Sequence, residues 1–139
     1  MLDVSIRAEI LNLLLKLRDE HNLAMLYITH DLASAAYLAN RVAVMYLGRI
    51  VEEGPAESLF ANPKHPYTKA LMSVVSTPGT KSKRKRIVLK GETPNPVNLP
   101  KGCRFQPRCP VAIHRCKEID PQLEQVMDNH KVACILNKM

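Results

Sequence analysis

The stretch Leu23–Thr29, LAMLYIT, is apolar almost without alternation and stops at His30 and Asp31. A strand with one wet face alternates apolar and polar residues. A short unbroken run instead predicts a strand buried on both faces, as in a parallel sheet covered by helices. What flanks it agrees. Ser5–His21 places Ile6, Ile10, Leu13, Leu14 and Leu17 on one helical stripe, with Asp3 or Ser5 able to cap its start and Asn22 as a stop. Asp31 can cap a short helix through Asn40. Arg41–Gly48 and Arg49–Gly54 read as two strands turned near Gly48. The order helix, strand, helix, strand, strand is an α/β pattern.

Beyond Gly54 prolines punctuate the chain. Pro55 suits the first position of a helix through Phe60, Asn62-Pro63 breaks it, and Pro66 opens another in which Tyr67, Leu71 and Val74 or Val75 share a side. Thr77–Arg86, TPGTKSKRKR, is polar and strongly basic and reads as a linker. Ile87–Gly91 could form one short strand, and the three prolines of ETPNPVNLPKG favour an extended path. Of 139 residues, 46% are hydrophobic, but with two Phe, four Tyr and no Trp the expected core is aliphatic. The formal charge of +7, five bases of it in Lys81–Arg86, favours anionic partners: phosphates, nucleic acid or a membrane surface. The first ten residues lack an apolar signal core, and no run approaches the roughly 18 apolar residues of a membrane span. A cytosolic chain is expected, and its four cysteines then read as ligands or reactive thiols before disulfides.

In an open α/β sheet, ligands bind beyond the carboxyl ends of the strands, where His30 falls. A neutral imidazole there can donate to a phosphate oxygen or polarise a water; the alternative is a histidine that caps a turn or bonds to Asp31. The neighbours weigh in. From Leu2 to Leu71 the chain resembles the C-terminal part of the nucleotide-binding subunit of ABC transporters. Leu2-Asp3 resembles the end of the family's D-loop, and His30, in THD, its switch histidine. RVAVMYLGRIVEEG resembles the strand pair that follows, and NPKHPYTKAL is similar to the oligopeptide and dipeptide importer branch. The resemblance implies that His30 contacts the γ-phosphate of ATP and orients the attacking water. Asp3 would lie between two nucleotide-binding domains. It also implies ATP and Mg2+ as cofactors, a second nucleotide-binding subunit and transmembrane permease subunits as partners, and a cytoplasmic location on the inner face of the membrane.

Much of that family's apparatus has no counterpart here. Only five glycines are present, and no pair has the G-x-x-x-x-G-K-[ST] spacing of a phosphate-binding loop. The Q-loop, the signature sequence and the Walker B strand would all precede Leu2. The expectation is a partial P-loop-type half-domain, the tail of a longer subunit, unable to hydrolyse ATP alone. Its unpaired strand edges would favour a homo-oligomer. The expected divisions are 1–76 for the nucleotide-binding portion, 77–100 for the linker and 101–139 for a small irregular cysteine module.

Cys103, Cys109, Cys116 and Cys134 follow the pattern C-x5-C-x6-C-x17-C. Structural zinc sites use tight C-x(2–4)-C pairs, so zinc is the less favoured occupant. A 4Fe–4S cube, held at its corners by four thiolates, tolerates wider spacing. Lys101, Arg104, Arg108, Arg115, Lys117 and Lys131 could offset its charge or form an ordinary solvated face. Inert buried thiols remain an alternative. Gly102–Cys134 is similar to the C-terminal extension of the peptide-importer ATPases, some members of which carry a 4Fe–4S cluster on these cysteines. The role expected of it is a structural staple. His114 and His130 read as surface or helix-end residues. The other class of function is a small metal- or cluster-containing module that binds nucleic acid or docks on another chain. The near absence of aromatics beside the basic run argues against nucleic acid.

Overall fold

The structure, a computed structural model, describes residues 4–74 and 86–138. Asp3 and the basic run through Lys85 lie outside the described residues. The chain packs as two units, one through Asn40 and one from Arg41 onward.

In the first unit, helix α1 spans Val4–Glu20 and helix α2 spans Leu32–Leu38. Asn22 ends α1 as expected: it takes a left-handed φ of 49°, and the Leu23 N–H returns to the Arg18 carbonyl at 2.9 Å. That is the Schellman closure, which satisfies an orphan carbonyl of the last turn. Asn12 accepts from the Tyr37 hydroxyl at 2.7 Å, tying the two helices. Two expectations fail here. Leu23–Thr29 forms no strand, and Leu26 and Ile28 are 90% and 88% exposed. A strand needs neighbours to complete its hydrogen bonds, and no described segment pairs with this one. The stripe Ile6, Ile10, Leu13 and Leu17 is likewise exposed, while Leu11 is the buried residue of α1.

The second unit is built on a four-stranded sheet, order β1-β2-β4-β3, antiparallel at every pairing in place of the parallel sheet expected. Strand β1 is Arg41–Tyr46 and β2 is Arg49–Pro55. They turn through Leu47 and Gly48, both at positive φ, the two-residue hairpin turn whose twist matches that of the flanking strands. Strands β3 (Glu124–Met127) and β4 (His130–Val132) form a second hairpin, and β4 pairs with β2 through Glu52↔Val132 and Glu53↔Lys131. Residues 101–138 therefore share a sheet with the segment that starts at Arg41.

Two short helices cover the sheet. Pro55 is the N-cap of α3 (Ala56–Ala61), so the helix starts one residue later than expected, because β2 runs through Pro55; Pro66 opens α4 (Pro66–Met72) as expected. Residues 87–91 form no strand. The core is not aliphatic: Tyr46 and Phe105 are buried with Val44, Val51 and Leu59, and Tyr67 packs against them. Ring centroids lie 4.7 Å apart for Tyr46–Tyr67 and 5.2 Å for Tyr46–Phe105, the latter edge-to-face. Few aromatics suffice when the chain gathers them in one place.

Candidate functional site

The Thr29–Asp31 corner is built by side chains that fold the helix start. Thr29 Oγ1 accepts the Asp31 N–H at 3.0 Å. The Asp31 carboxylate accepts the Ala33 N–H at 3.1 Å and the Ser34 hydroxyl, and faces Arg7 at 3.3 Å. The Ser34 hydrogen bond is the main reason its pKa falls below the usual carboxylate value. Asp31 is thus engaged as an N-cap with its side chain partly exposed, and His30 is exposed.

At the other end, the fold brings all four cysteines to one place. Gly102 makes the first approach possible. It has a φ of 69°, and a Cβ there would stand 2.6 Å from the Cys116 carbonyl oxygen. Without one, the Cys103 N–H donates to that same carbonyl at 2.9 Å. A single 3-10 turn, Gln106–Arg108, then delivers Cys109, and a second, His114–Lys117, holds Cys116. Cys134 follows β4, anchored where the Ala133 N–H reaches the Val51 carbonyl at 2.8 Å. Cys103, Cys109, Cys116 and Cys134 line one small cavity, with His65 and Phe105 also in its wall.

All four thiols are free. Burial raises the pKa of Cys103, Cys134 and Cys109, the last to about 11, and the neighbouring sulfurs add to the shift. Such thiols are neutral until a cation compensates them. Among the described residues no group of three or more His, Cys, Asp or Glu could hold a metal ion. The surrounding bases are not uniformly aimed at the sulfurs. Arg104 donates to the Leu47 carbonyl, Arg108 to Thr93 Oγ1 at 3.0 Å, and Lys131 pairs with Glu53 at 3.1 Å.

The support for this cavity was not foreseen from the sequence. Glu52, in β2, is fully buried and accepts three hydrogen bonds: Lys64 N–H at 2.7 Å, His65 N–H at 2.9 Å and His130 Nε2 at 2.8 Å. His130 is therefore a buried partner and not the surface residue expected; His114 is exposed as expected. Strand alternation held the signal: in Val51-Glu52-Glu53-Gly54 one of the two glutamates had to face inward. His65 is buried against Phe105, ring centroids 5.6 Å apart, and its Nδ1 caps α4 by accepting the Tyr67 N–H at 3.1 Å.

Burial drives the His65 pKa from 6.5 down to about 4, against the pull of Glu52. Between those values the unfolded chain binds a proton that the folded chain refuses. The contribution is complete above pH 6.5 and is lost as pH falls toward 4. With the four thiols free, the cost at pH 4 is about 3 kcal/mol relative to pH 7. Urea midpoints measured from pH 7 to pH 4 should fall more steeply for the native sequence than for His65→Asn.

Residues 51–116, which hold Glu52, His65, Phe105 and three of the cysteines, match the family model described as the oligopeptide/dipeptide transporter, C-terminal region. Relatives extend the similarity beyond it. The chain is 50% identical over 133 residues to the dipeptide transport ATP-binding protein DppF of Haemophilus influenzae, covering 96% of this chain and 41% of that protein. It is 50% identical over 139 residues to the oligopeptide transport ATP-binding protein AppF of Bacillus subtilis, covering 97% of this chain and 42% of that one. A probable peptide ABC transporter ATP-binding protein of Sinorhizobium fredii, y4tS, is also 50% identical, over 96% of this chain and 38% of its own length. The chain thus spans about two fifths of the length of the curated relatives it matches. Within the matched residues, Glu52, His65 and Phe105 join the sheet to the cysteine loops. No described helix is long and apolar enough to cross a membrane.

Proposed function

We propose that this chain serves as the C-terminal part of an ATP-hydrolysing subunit that powers a peptide importer. The observation that carries the reading is half identity to transport ATP-binding proteins across nearly the whole chain. In such a subunit ATP and Mg2+ bind mainly through residues that this sequence does not contain. His30 contacts the γ-phosphate and orients water, and Asp3 sits at the interface with a second nucleotide-binding subunit. Permease subunits are the membrane partners, and the working location is the cytoplasmic face. A histidine that moves or positions a proton in the transition state contributes about 10²–10⁴-fold. His30→Ala, made in a subunit that carries this chain as its C-terminal part, should retain nucleotide binding and lose ATP turnover by about 10²-fold or more. Unchanged turnover refutes the role of His30. The chain by itself should not bind ATP in the low micromolar range; calorimetric titration checks this.

The cysteine cavity is assigned a 4Fe–4S cluster on Cys103, Cys109, Cys116 and Cys134. Those four thiolates would hold it, and the cross-link between loops far apart in sequence would staple a segment rich in turns. The protein's part is to bring the sulfurs together, exclude water with the core rings and release the thiol protons. Iron and acid-labile sulfide, assayed after anaerobic purification, should reach four of each per chain. Zinc alone, or neither, would refute the assignment.

A further inference from the structure

Among the described residues no carboxylate pairs with Arg108. Its Nη1 donates to Thr93 Oγ1 at 3.0 Å, on the surface, while its Nε is buried and has no hydrogen-bond partner among those residues. The guanidinium therefore runs from solvent into the protein, and its inner N–H meets no acceptor. A second group is in the same condition: Tyr46 is 4% exposed, and its hydroxyl is buried without a partner. Tyr67 links the two. Its ring centroid lies 4.7 Å from that of Tyr46. Burial raises the Tyr67 pKa, Tyr46 adds to the rise and the Arg108 charge opposes it, so both stand near its hydroxyl. Tyr67 and Arg108 are half-buried, which leaves an approach from solvent. None of the three lines the cysteine cavity.

We propose that Arg108, Tyr46 and Tyr67 form a binding site for a phosphate group. A buried donor without an acceptor is costly, and a buried charge without a counter-charge more so. Arginine can only donate and a tyrosine hydroxyl can donate, so one acceptor that carries negative charge satisfies them together. The planar guanidinium matches the oxygens of phosphate and of carboxylate. Phosphate is the better fit, because its oxygens point in several directions and the donors come from three separate elements: β1, α4 and the 3-10 turn Gln106–Arg108. The formal charge of +7 draws such an ion toward the chain. The site is independent of the cluster assignment and of the transport reading.

The test is urea unfolding of the full chain at pH 7, in chloride and in inorganic phosphate at equal ionic strength. Tyr46→Phe removes only the hydroxyl. In chloride the variant should be at least as stable as the native chain, because the group it loses has no partner. A variant less stable in chloride overturns the proposal. Added phosphate should raise the native urea midpoint by mass action, and the affinity read from that rise should be about tenfold weaker in the variant. Phosphate also stabilises proteins through the solvent, and that effect is the same in both chains. Equal gains in the two, or no gain in either, therefore overturn the site. A second measurement needs no variant: the Nε–H resonance of Arg108 in 15N-labelled native protein should shift on titration with phosphate, and an unmoved resonance overturns the proposal even if Tyr46→Phe fails to fold. Vesicles of phosphatidate and of phosphatidylcholine then tell the source. Capture of the native chain but not Tyr46→Phe by phosphatidate alone puts the phosphate on a lipid headgroup; binding of inorganic phosphate without capture makes it a free ion.

Discussion

Replacing Glu52 by Leu should lower the stability of the unit that begins at Arg41 by about 3–5 kcal/mol, the usual cost of removing one partner from a buried polar pair. The carboxylate is fully buried and holds together three separate parts of the chain. It accepts the Lys64 and His65 amides at the entry to α4 and His130 from β4. Removing it leaves all three donors without that acceptor, two of them on buried residues. The loss is a large share of the roughly 5–15 kcal/mol that a domain has in total. The double variant Glu52→Leu, His130→Leu separates the contributions. If the Glu–His pair were the whole effect, an apolar pair of similar volume would restore stability. Two backbone N–H groups would still lack an acceptor, however, so the double variant should remain destabilised by more than 1 kcal/mol, at about 1–3 kcal/mol per orphaned group. Urea unfolding of the two single variants and the double variant closes the cycle; full recovery in the double variant would refute the role given to the amides.

Phe105→Ala should cost about 3–5 kcal/mol, the range for removing a fully buried aromatic ring. Phe105 is 1% exposed and touches Tyr46, Tyr67 and His65, with centroids at 5.2, 5.4 and 5.6 Å. It lies between Cys103 and Cys109, and its ring is the anchor of that loop in the core. Two readouts should therefore move together. The urea midpoint should fall, and Cys103 and Cys109, now shielded, should react faster with a thiol reagent. A stability loss without faster thiol modification would mean that the cysteine loop is held by something other than this ring.

These residues show what could and could not be read beforehand. Asn22, Asp31, Gly48 and Pro66 act where the sequence placed them, because caps, turns and helix starts depend on the backbone within a few residues. The aromatic core was misjudged for a non-local reason. Composition counts rings, but Tyr46, Tyr67 and Phe105 meet only because β1, α4 and the first cysteine loop are folded against one another. Leu23–Thr29 failed differently. Its pattern carries the strand signal, yet a strand is a property of a pair, and its apolar residues are left exposed without one. His130 read as a surface residue because its partner stands 78 positions away.

The sequence by itself determined the local elements from α1 through α4, the β1–β2 hairpin, the presence of four candidate sulfur ligands and the family resemblance of the whole. Each follows from short-range backbone preference or from the order of residues along the chain. Only the tertiary structure decided that the cysteines face one cavity, that β4 joins β2, and that Glu52 and His65 hold the walls of that cavity. The reason is physical. Sulfurs separated by five, six and seventeen residues converge only when a close backbone approach at Gly102, two 3-10 turns and a sheet pairing act together. A buried carboxylate is tolerated only where the fold supplies its donors.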